Sequence, residues 1–500
     1  MPADRDVLIV GAGIGGLAAA LALTARGIPV RILEAGSQPG GKAGAVEVDG
    51  VVIETGPSVL TLPEVFAGLF ARAGLRLDDV VGLRRLDPGF RYRWPDGCIL
   101  DVAHDPEQTL ANVRSVLGPT AEAGLASFLR YSRRIWDAAA PHFVLGPAPT
   151  WAAMAGLALR HPRALLAVDP LSSMAAGIDR HVADPHLRVL LRRYATYNGS
   201  DPRKAPATLN CIAHVELSLG GFGVQGGIRA LVAAMVQAIE ARGGNVECDT
   251  AVERVIVEGG RTTGVALVGG GVRRGRAVLA NADVGWLRDG ALPDAGRWLP
   301  PATTPSMSGW TGALRADPGT DRLPHEVLFP RDYDAEFADI VDRDRPPADP
   351  TVYLCAQQRC HGTPGWADAE PVFLMANAPA EPDGAVRPAA LWRDLEEAME
   401  QRIRAAGLWA DGDAVVWRRT PAELAAAFPG SRGAIYGAAS NDRFSAFKRP
   451  PNRVRGLPGL YLASGSAHPG GGLPMVALSG LAAADCLCAD LGLSVGPSAR

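Results

Sequence analysis

The stretch from Asp6 to Glu34 constrains the fold more than any other part of the chain. Asp6-Val7-Leu8-Ile9-Val10 is a short apolar run suited to a strand buried on both faces. Gly11-Ala12-Gly13-Ile14-Gly15-Gly16 follows at once, then an apolar helix to about Arg26, then Val30-Arg31-Ile32-Leu33-Glu34 as a second strand. Strand, helix and strand in so short a span make a βαβ unit, and hence a parallel sheet. The glycines fit G-x-G-x-x-G, and each has a physical role. Gly11 permits the tight turn, Gly13 lets a pyrophosphate approach bare backbone, and Gly16 lets helix and strand pack closely. The helix N-terminus turns free N–H groups and its positive dipole end toward the phosphates. Glu34, 21 residues beyond Gly13, would accept hydrogen bonds from ribose hydroxyls and repel a 2′-phosphate. The expected ligand is FAD or NAD rather than NADP.

Val7–Ala25 is also 19 residues without a charge, long enough to pass for a membrane span. The glycine spacing reads instead as strand, turn and buried helix, and no span is expected. At 500 residues and 47% hydrophobic content the chain supplies two or three domain-sized units and is not disordered. A net charge of −3 leaves no electrostatic footprint for nucleic acid. The seven cysteines are scattered without CxxC spacing, so neither a metal site nor a disulfide framework is expected from them. The N-terminus lacks the basic-then-apolar order of a signal peptide, which points to a cytoplasmic protein.

Three pieces read as one discontinuous α/β nucleotide-binding domain: 1–63, 226–289 and 452–492. Two inserts, 64–225 and 290–451, read as a mixed α+β substrate domain. In the middle piece Ile228–Arg242 is an amphipathic helix ended by Gly243-Gly244, and strands follow to Ala280. In the last piece Leu460–Ala463 is a strand and an Ala-rich helix starts near Pro474. Gly221-Phe222-Gly223-Val224-Gln225-Gly226 repeats the G-x-G-x-x-G pattern, but Asn210, His214 and Glu216 precede it. It reads as a loop re-entering the domain rather than a second dinucleotide site. Trp151–Ile178, apolar on most faces and broken by Arg160-His161-Pro162-Arg163, suits either a membrane interface or an ordinary buried part of the insert, and a membrane-soluble substrate would favour the first.

Gly41 and Lys42, in Pro39-Gly40-Gly41-Lys42, combine flexible backbone with one cation and suit a second phosphate-facing loop. With Glu54-Thr55-Gly56-Pro57-Ser58 and the closing run Gly459-Leu460-Tyr461-Leu462-Ala463-Ser464-Gly465-Ser466-Ala467-His468-Pro469-Gly470-Gly471-Gly472-Leu473-Pro474-Met475, the sequence resembles the FAD-dependent carotenoid desaturases. These are the bacterial phytoene desaturase family within the amine-oxidase-like flavoproteins. The resemblance implies a Rossmann-like FAD-binding domain interleaved with the substrate domain, and a helical membrane-facing region at 130–190. It implies FAD as cofactor, a lipophilic carotenoid substrate, peripheral contact with a membrane surface, and quinone or oxygen as electron acceptor. It extends the cofactor contacts to Ile14, Gly15, Ala35, Gly56, Pro57, Ser58, the backbone at Val252, Asn281, Gly465, Ser466, Pro474, Met475 and Val476. Val352-Tyr353-Leu354-Cys355-Ala356-Gln357-Gln358-Arg359 and the Ser-Ala-His-Pro-Gly-Gly-Gly-Leu-Pro-Met loop look like the 1-hydroxycarotenoid 3,4-desaturase branch. Phytoene or neurosporene desaturases, carotenoid isomerases and non-enzymatic isoprenoid-lipid carriers share this scaffold and are the alternatives. Motif position carries His468 and Glu54 near the flavin, but neither is assigned a proton-transfer role, and no catalytic residue is assigned.

Overall fold

The computed structural model describes residues 6–150, 156, 159 and 167–493. Val7–Val10 is the central strand of a five-stranded sheet ordered Leu460–Leu462, Ala277–Ala280, Val7–Val10, Val30–Leu33, Asn245–Glu247. All its pairings are parallel. Such a sheet must be covered on both faces, and the central strand divides accordingly. Val7 and Ile9 pack into a helical layer, while Leu8 and Val10 pack into the layer opposite. The helical layer is Ile14–Thr24, Ile228–Glu240 and Leu473–Asp490. The opposite layer is an antiparallel sheet of Val252–Glu258, Arg261–Leu267 and Val272–Arg274.

All 11 residues of Ile14–Thr24 are buried, which accounts for the uncharged run. Leu473–Asp490, at 18 residues, is long and apolar enough to cross a membrane, yet here it is a core helix packed on Ile14–Thr24. The two helices touch backbone to backbone: a Cβ on Gly480 would lie 2.1 Å from the Gly15 carbonyl oxygen.

A second sheet has seven strands, ordered Ala414–Arg419, Ser308–Ala316, Glu370–Ala378, Val352–Ala356, His325–Leu328, Phe90–Arg93, Ile99–Val102. It is antiparallel except where His325–Leu328 runs parallel to Phe90–Arg93. Val352, Leu354, Val372, Leu374 and Ala376 point to one face and pack on the helix Ala389–Ala405. The alternate residues Tyr353, Phe373, Met375 and Asn377 point the other way and line a cavity. Helices Pro119–Ala139, Met174–Asp179 and Pro185–Arg192 and the 3₁₀ segment Arg193–Asn198 close that side. The two halves are clasped by Gln357, whose amide exchanges two hydrogen bonds with the Glu54 backbone, at 2.7 and 3.0 Å.

The second glycine repeat forms the strand Phe222–Val224, paired with Leu83–Arg85, and leads into Ile228–Glu240. Glu54 Oε1 accepts from Arg229 N at 2.7 Å, and a Cβ on Gly227 would stand 2.3 Å from the same oxygen. A carboxylate of the chain itself therefore fills the place a phosphate would need. Of the region 130–190, residues 151–155, 157, 158 and 160–166 lie outside the described residues. Most of the membrane-interface expectation for Trp151–Ile178 falls there.

Candidate active site

Gly11 leaves the central strand at φ +94°, in the left-handed region. Gly13 is the N-cap of Ile14–Thr24 and places no side chain on its first N–H groups, which stay free for an anion. Side chains are sterically barred from this loop. A Cβ would stand 2.7 Å from Asn281 Oδ1 at Gly13, 2.1 Å from the Ala463 carbonyl at Gly15, and 2.3 Å from the Gly11 carbonyl at Gly16. Ile14 is buried beneath it. Glu34 accepts from Ala12 N at 2.6 Å and from Gly36 N at 2.8 Å, so its carboxylate faces the glycine loop. Ala35 is exposed beside it. Thr250 N donates to the Glu34 carbonyl at 2.7 Å, which brings the start of Val252–Glu258 to the same edge.

From the glycine loop a line of small residues leads away. Gly40 bridges to Gly13, a Cβ on Gly41 would lie 3.2 Å from Gly13 Cα, and one on Gly56 would lie 2.1 Å from the Lys42 carbonyl. Pro57 and Ser58 follow and line the cavity. From the C-terminal piece, a Cβ on Gly465 would lie 3.4 Å from Val476 Cγ2, and Ser466 Oγ accepts from Val284 N at 2.9 Å. Leu473–Asp490 starts at Gly472, uncapped, with Pro474 and Met475 in its first turn. Gly480 marks the crossing with Gly15, so this helix extends roughly 10 Å past the crossing to its own N-terminus.

At that second N-terminus lies a cavity of about 680 Å³, bounded by Gly56–Ser58 and His468–Met475. Its remaining wall is largely apolar, with Trp136, Phe143, Val144, Phe373, Met375 and Phe447. Leu171, 81% exposed, and Phe444, 45% exposed, line it where it meets the surface. His468 is buried, and its Nε2 lies 2.9 Å from the Gly146 carbonyl. A carbonyl only accepts, so the neutral ring carries its proton on Nε2. Burial pushes the pKa of His468 below its ordinary value. Arg449 donates to the Gly465 carbonyl at 3.2 Å and to the Ala438 carbonyl at 2.9 Å, and burial pulls its pKa down to about 10.

Two residues expected at the cofactor have protein partners in the structure. The Lys42 ammonium, expected to face a phosphate, donates to the carbonyls of Ala434 at 2.7 Å and Ile435 at 3.3 Å. Burial lowers its pKa and the Asp283 carboxylate partly offsets this. Asn281, expected at the cofactor, packs beneath the glycine loop and donates to the Ala463 carbonyl. It supports the loop from below, whereas Gly11, Gly13, Gly15, Gly16 and Glu34 form its surface.

Two groupings had no signal in the sequence. His325, Cys355 and Cys360, scattered along the chain, converge in the core with their ligand-type atoms within 4.8 Å of one another. The cysteine spacing, which promised no such cluster, gave no hint of it because strand pairing brings His325 opposite Cys355. The second grouping is Arg193 and Tyr197 at the cavity wall, with Glu216 bonded to the Tyr197 hydroxyl.

The family model of the flavin containing amine oxidoreductases matches residues 14–310. The hydroxyneurosporene desaturase of Rubrivivax gelatinosus is 37% identical over 496 residues, 97% of this chain and 93% of its own length. That of Rhodobacter capsulatus is 36% identical over 495 residues, covering 98% of this chain and 99% of its own. Among solved structures, wild-type putrescine oxidase bound to putrescine shares the fold, with a TM-score of 0.60 at 17% identity over 98% of this chain and 99% of that one. Fold and site together define an FAD-dependent oxidoreductase. The chain belongs to the flavin containing amine oxidoreductase family.

The residues present fit the cofactor. The barred glycine loop, the two uncapped helix N-termini and the Glu34 carboxylate answer the needs of a pyrophosphate and a ribose.

Proposed function

We propose that this protein is an FAD-dependent desaturase that introduces a C–C double bond, by 3,4-desaturation, into acyclic 1-hydroxycarotenoids such as 1-hydroxyneurosporene. The carrying observation is the apolar cavity that ends on the second helix N-terminus, in a chain whose full-length relatives are named hydroxyneurosporene desaturases. FAD supplies a two-electron acceptor for the hydride that leaves the substrate carbon.

Gly13, Gly15 and Gly16 would hold the pyrophosphate by backbone N–H groups. Gly11, whose own N–H donates to the Leu33 carbonyl at 2.8 Å, supplies the turn. Glu34 would hold the ribose, with Ala35 and Val252 beside it. Gly41, Gly56, Pro57, Ser58, Gly465, Pro474, Met475 and Val476 form the passage from that loop to the cavity, and Ser466 fixes its turn. Phe373 and Met375 give the polyene a flat apolar bed and exclude water. Loss of hydride beside a polyene leaves a cation spread over many carbons, so the demand on a protein base is small. His468 lines the cavity wall with its Nε2 held by the Gly146 carbonyl, and no residue is assigned as the base. Substrate enters from a membrane surface at Leu171 and Phe444, with the protein bound peripherally on the cytoplasmic side. Quinone or oxygen takes the electrons onward.

The test is a visible spectrum of FAD-supplied protein with liposomes carrying 1-hydroxyneurosporene, beside liposomes carrying phytoene. Each added conjugated double bond shifts absorption to longer wavelength. A red shift with the hydroxylated carotenoid is expected. A response to phytoene alone would move the protein to the earlier desaturases, and silence from both with flavin bound would remove the substrate class.

A further inference from the structure

Arg193 is 8% exposed and lines the apolar cavity. Its guanidinium lies over three aromatic rings, with centroids at 5.3 Å for Tyr197, 5.8 Å for Tyr353 and 5.9 Å for Tyr92. Arg193 Nη1 donates to the Tyr197 hydroxyl at 3.3 Å, and that hydroxyl donates to Glu216 Oε2. Glu216 Oε1 accepts a further bond from the Tyr194 hydroxyl at 3.1 Å. The counter-charge of this buried cation is thus reached through a tyrosine hydroxyl, and the carboxylate is satisfied by two phenols.

A buried charge is costly unless it is paired or put to use. A guanidinium has five N–H donors, and one bond to Tyr197 leaves others available at the wall of a cavity that is otherwise mostly hydrocarbon. The neighbouring rings hold the planar group still, so little freedom is lost when a further acceptor arrives. We propose that Arg193, held by Tyr197 and Glu216, is the subsite that binds the terminal hydroxyl oxygen of the carotenoid. This rests on the desaturase reading and gives it a specificity determinant. The aromatic stack admits a neutral oxygen on a branched alkyl end. A hydrocarbon end leaves the guanidinium desolvated and unanswered, which is how a site built for a hydroxyl rejects an analogue lacking it.

The test compares 1-hydroxyneurosporene with neurosporene, which lacks the hydroxyl, in matched vesicles. Binding is read as quenching of tryptophan fluorescence, since Trp136 lines the cavity, and turnover as the red shift of the product. In the wild type kcat/KM favours the hydroxylated carotenoid by about 10- to 100-fold, the range of a hydrogen bond to a charged group. Arg193→Met collapses that preference toward one, chiefly through KM. Tyr197→Phe reduces it less, and Arg193→Lys restores part of it. Should Arg193→Met fail to retain flavin, the double variant Arg193→Met/Glu216→Gln removes cation and anion together and carries the comparison. Preference kept in a flavin-loaded Arg193 variant, or equal binding of both carotenoids by the wild type, overturns the subsite while leaving desaturation standing. Absence of turnover with either carotenoid overturns the desaturase reading instead.

Discussion

Gly15 and Gly480 do more for this site than any charged residue. Each is a point where two backbones meet, with 2.1 Å between a built Cβ and a carbonyl oxygen in both cases. Replacing Gly480 by Ala forces Leu473–Asp490 away from Ile14–Thr24. Overpacking of this kind costs about 1–3 kcal/mol. Urea denaturation should register that loss together with weaker FAD retention, and wild-type behaviour of Gly480→Ala would show that the helices do not set the cofactor's bed. His468 bears on stability through pH. Its folded pKa lies below the ordinary value of 6.5 because burial disfavours the imidazolium. Between that lowered pKa and about 6.5 the unfolded chain binds a proton that the folded chain does not, so stability falls as pH drops through this window. His181 and His214 are shifted the same way, so the comparison is with His468→Asn, whose stability should fall less between pH 7.5 and pH 5.5. Parallel pH profiles for the two proteins would contradict the assignment.

At the scale of elements, the βαβ unit was legible because its logic is local: a buried strand, glycines at fixed offsets and an acid at the end of the next strand all fall within residues 6–34. The helix Leu473–Asp490 was legible for the same reason, from its glycine-rich lead and alanine content. What stayed hidden depends on contacts between distant segments. Lys42 reads as a phosphate ligand from its neighbours, but the carbonyls that hold it belong to residues 434 and 435. Asn281 has no sequence cue to its place beneath the loop, and Arg193 sits in a 3₁₀ segment without periodicity. Glu54 is a further case. Its carboxylate caps Ile228–Glu240 through Arg229 N, with His361 Nε2 3.7 Å from the other oxygen. Glu54→Ala uncaps that helix and should lower stability by about 1–2 kcal/mol, measured by denaturant titration. A loss well under that range would mean that water replaces the cap.

For the whole molecule, one sheet is built to hold a dinucleotide and the other to wall an apolar cavity, and the two meet at Gly56–Ser58 and His468–Met475. A hydrocarbon substrate dissolved in a bilayer needs an opening it can reach without crossing water. On the proposed function that opening lies at Leu171 and Phe444, which are exposed and line the cavity. The variant Leu171→Asp/Phe444→Asp should bind vesicles about 100-fold or more weakly than the wild type, read by co-sedimentation, since each buried large apolar side chain contributes about 1.5–3 kcal/mol. Undiminished co-sedimentation would contradict the proposed membrane contact at these residues.

Desaturation by hydride transfer to the flavin is tested by anaerobic mixing of the FAD-loaded protein with vesicles carrying 1-hydroxyneurosporene, following the flavin and carotenoid bands together. The oxidised flavin band should be lost in step with the red shift of the carotenoid, one equivalent of each. A carotenoid that shifts while the flavin band stays intact, or a flavin that is reduced with no change in the carotenoid, would contradict that mechanism.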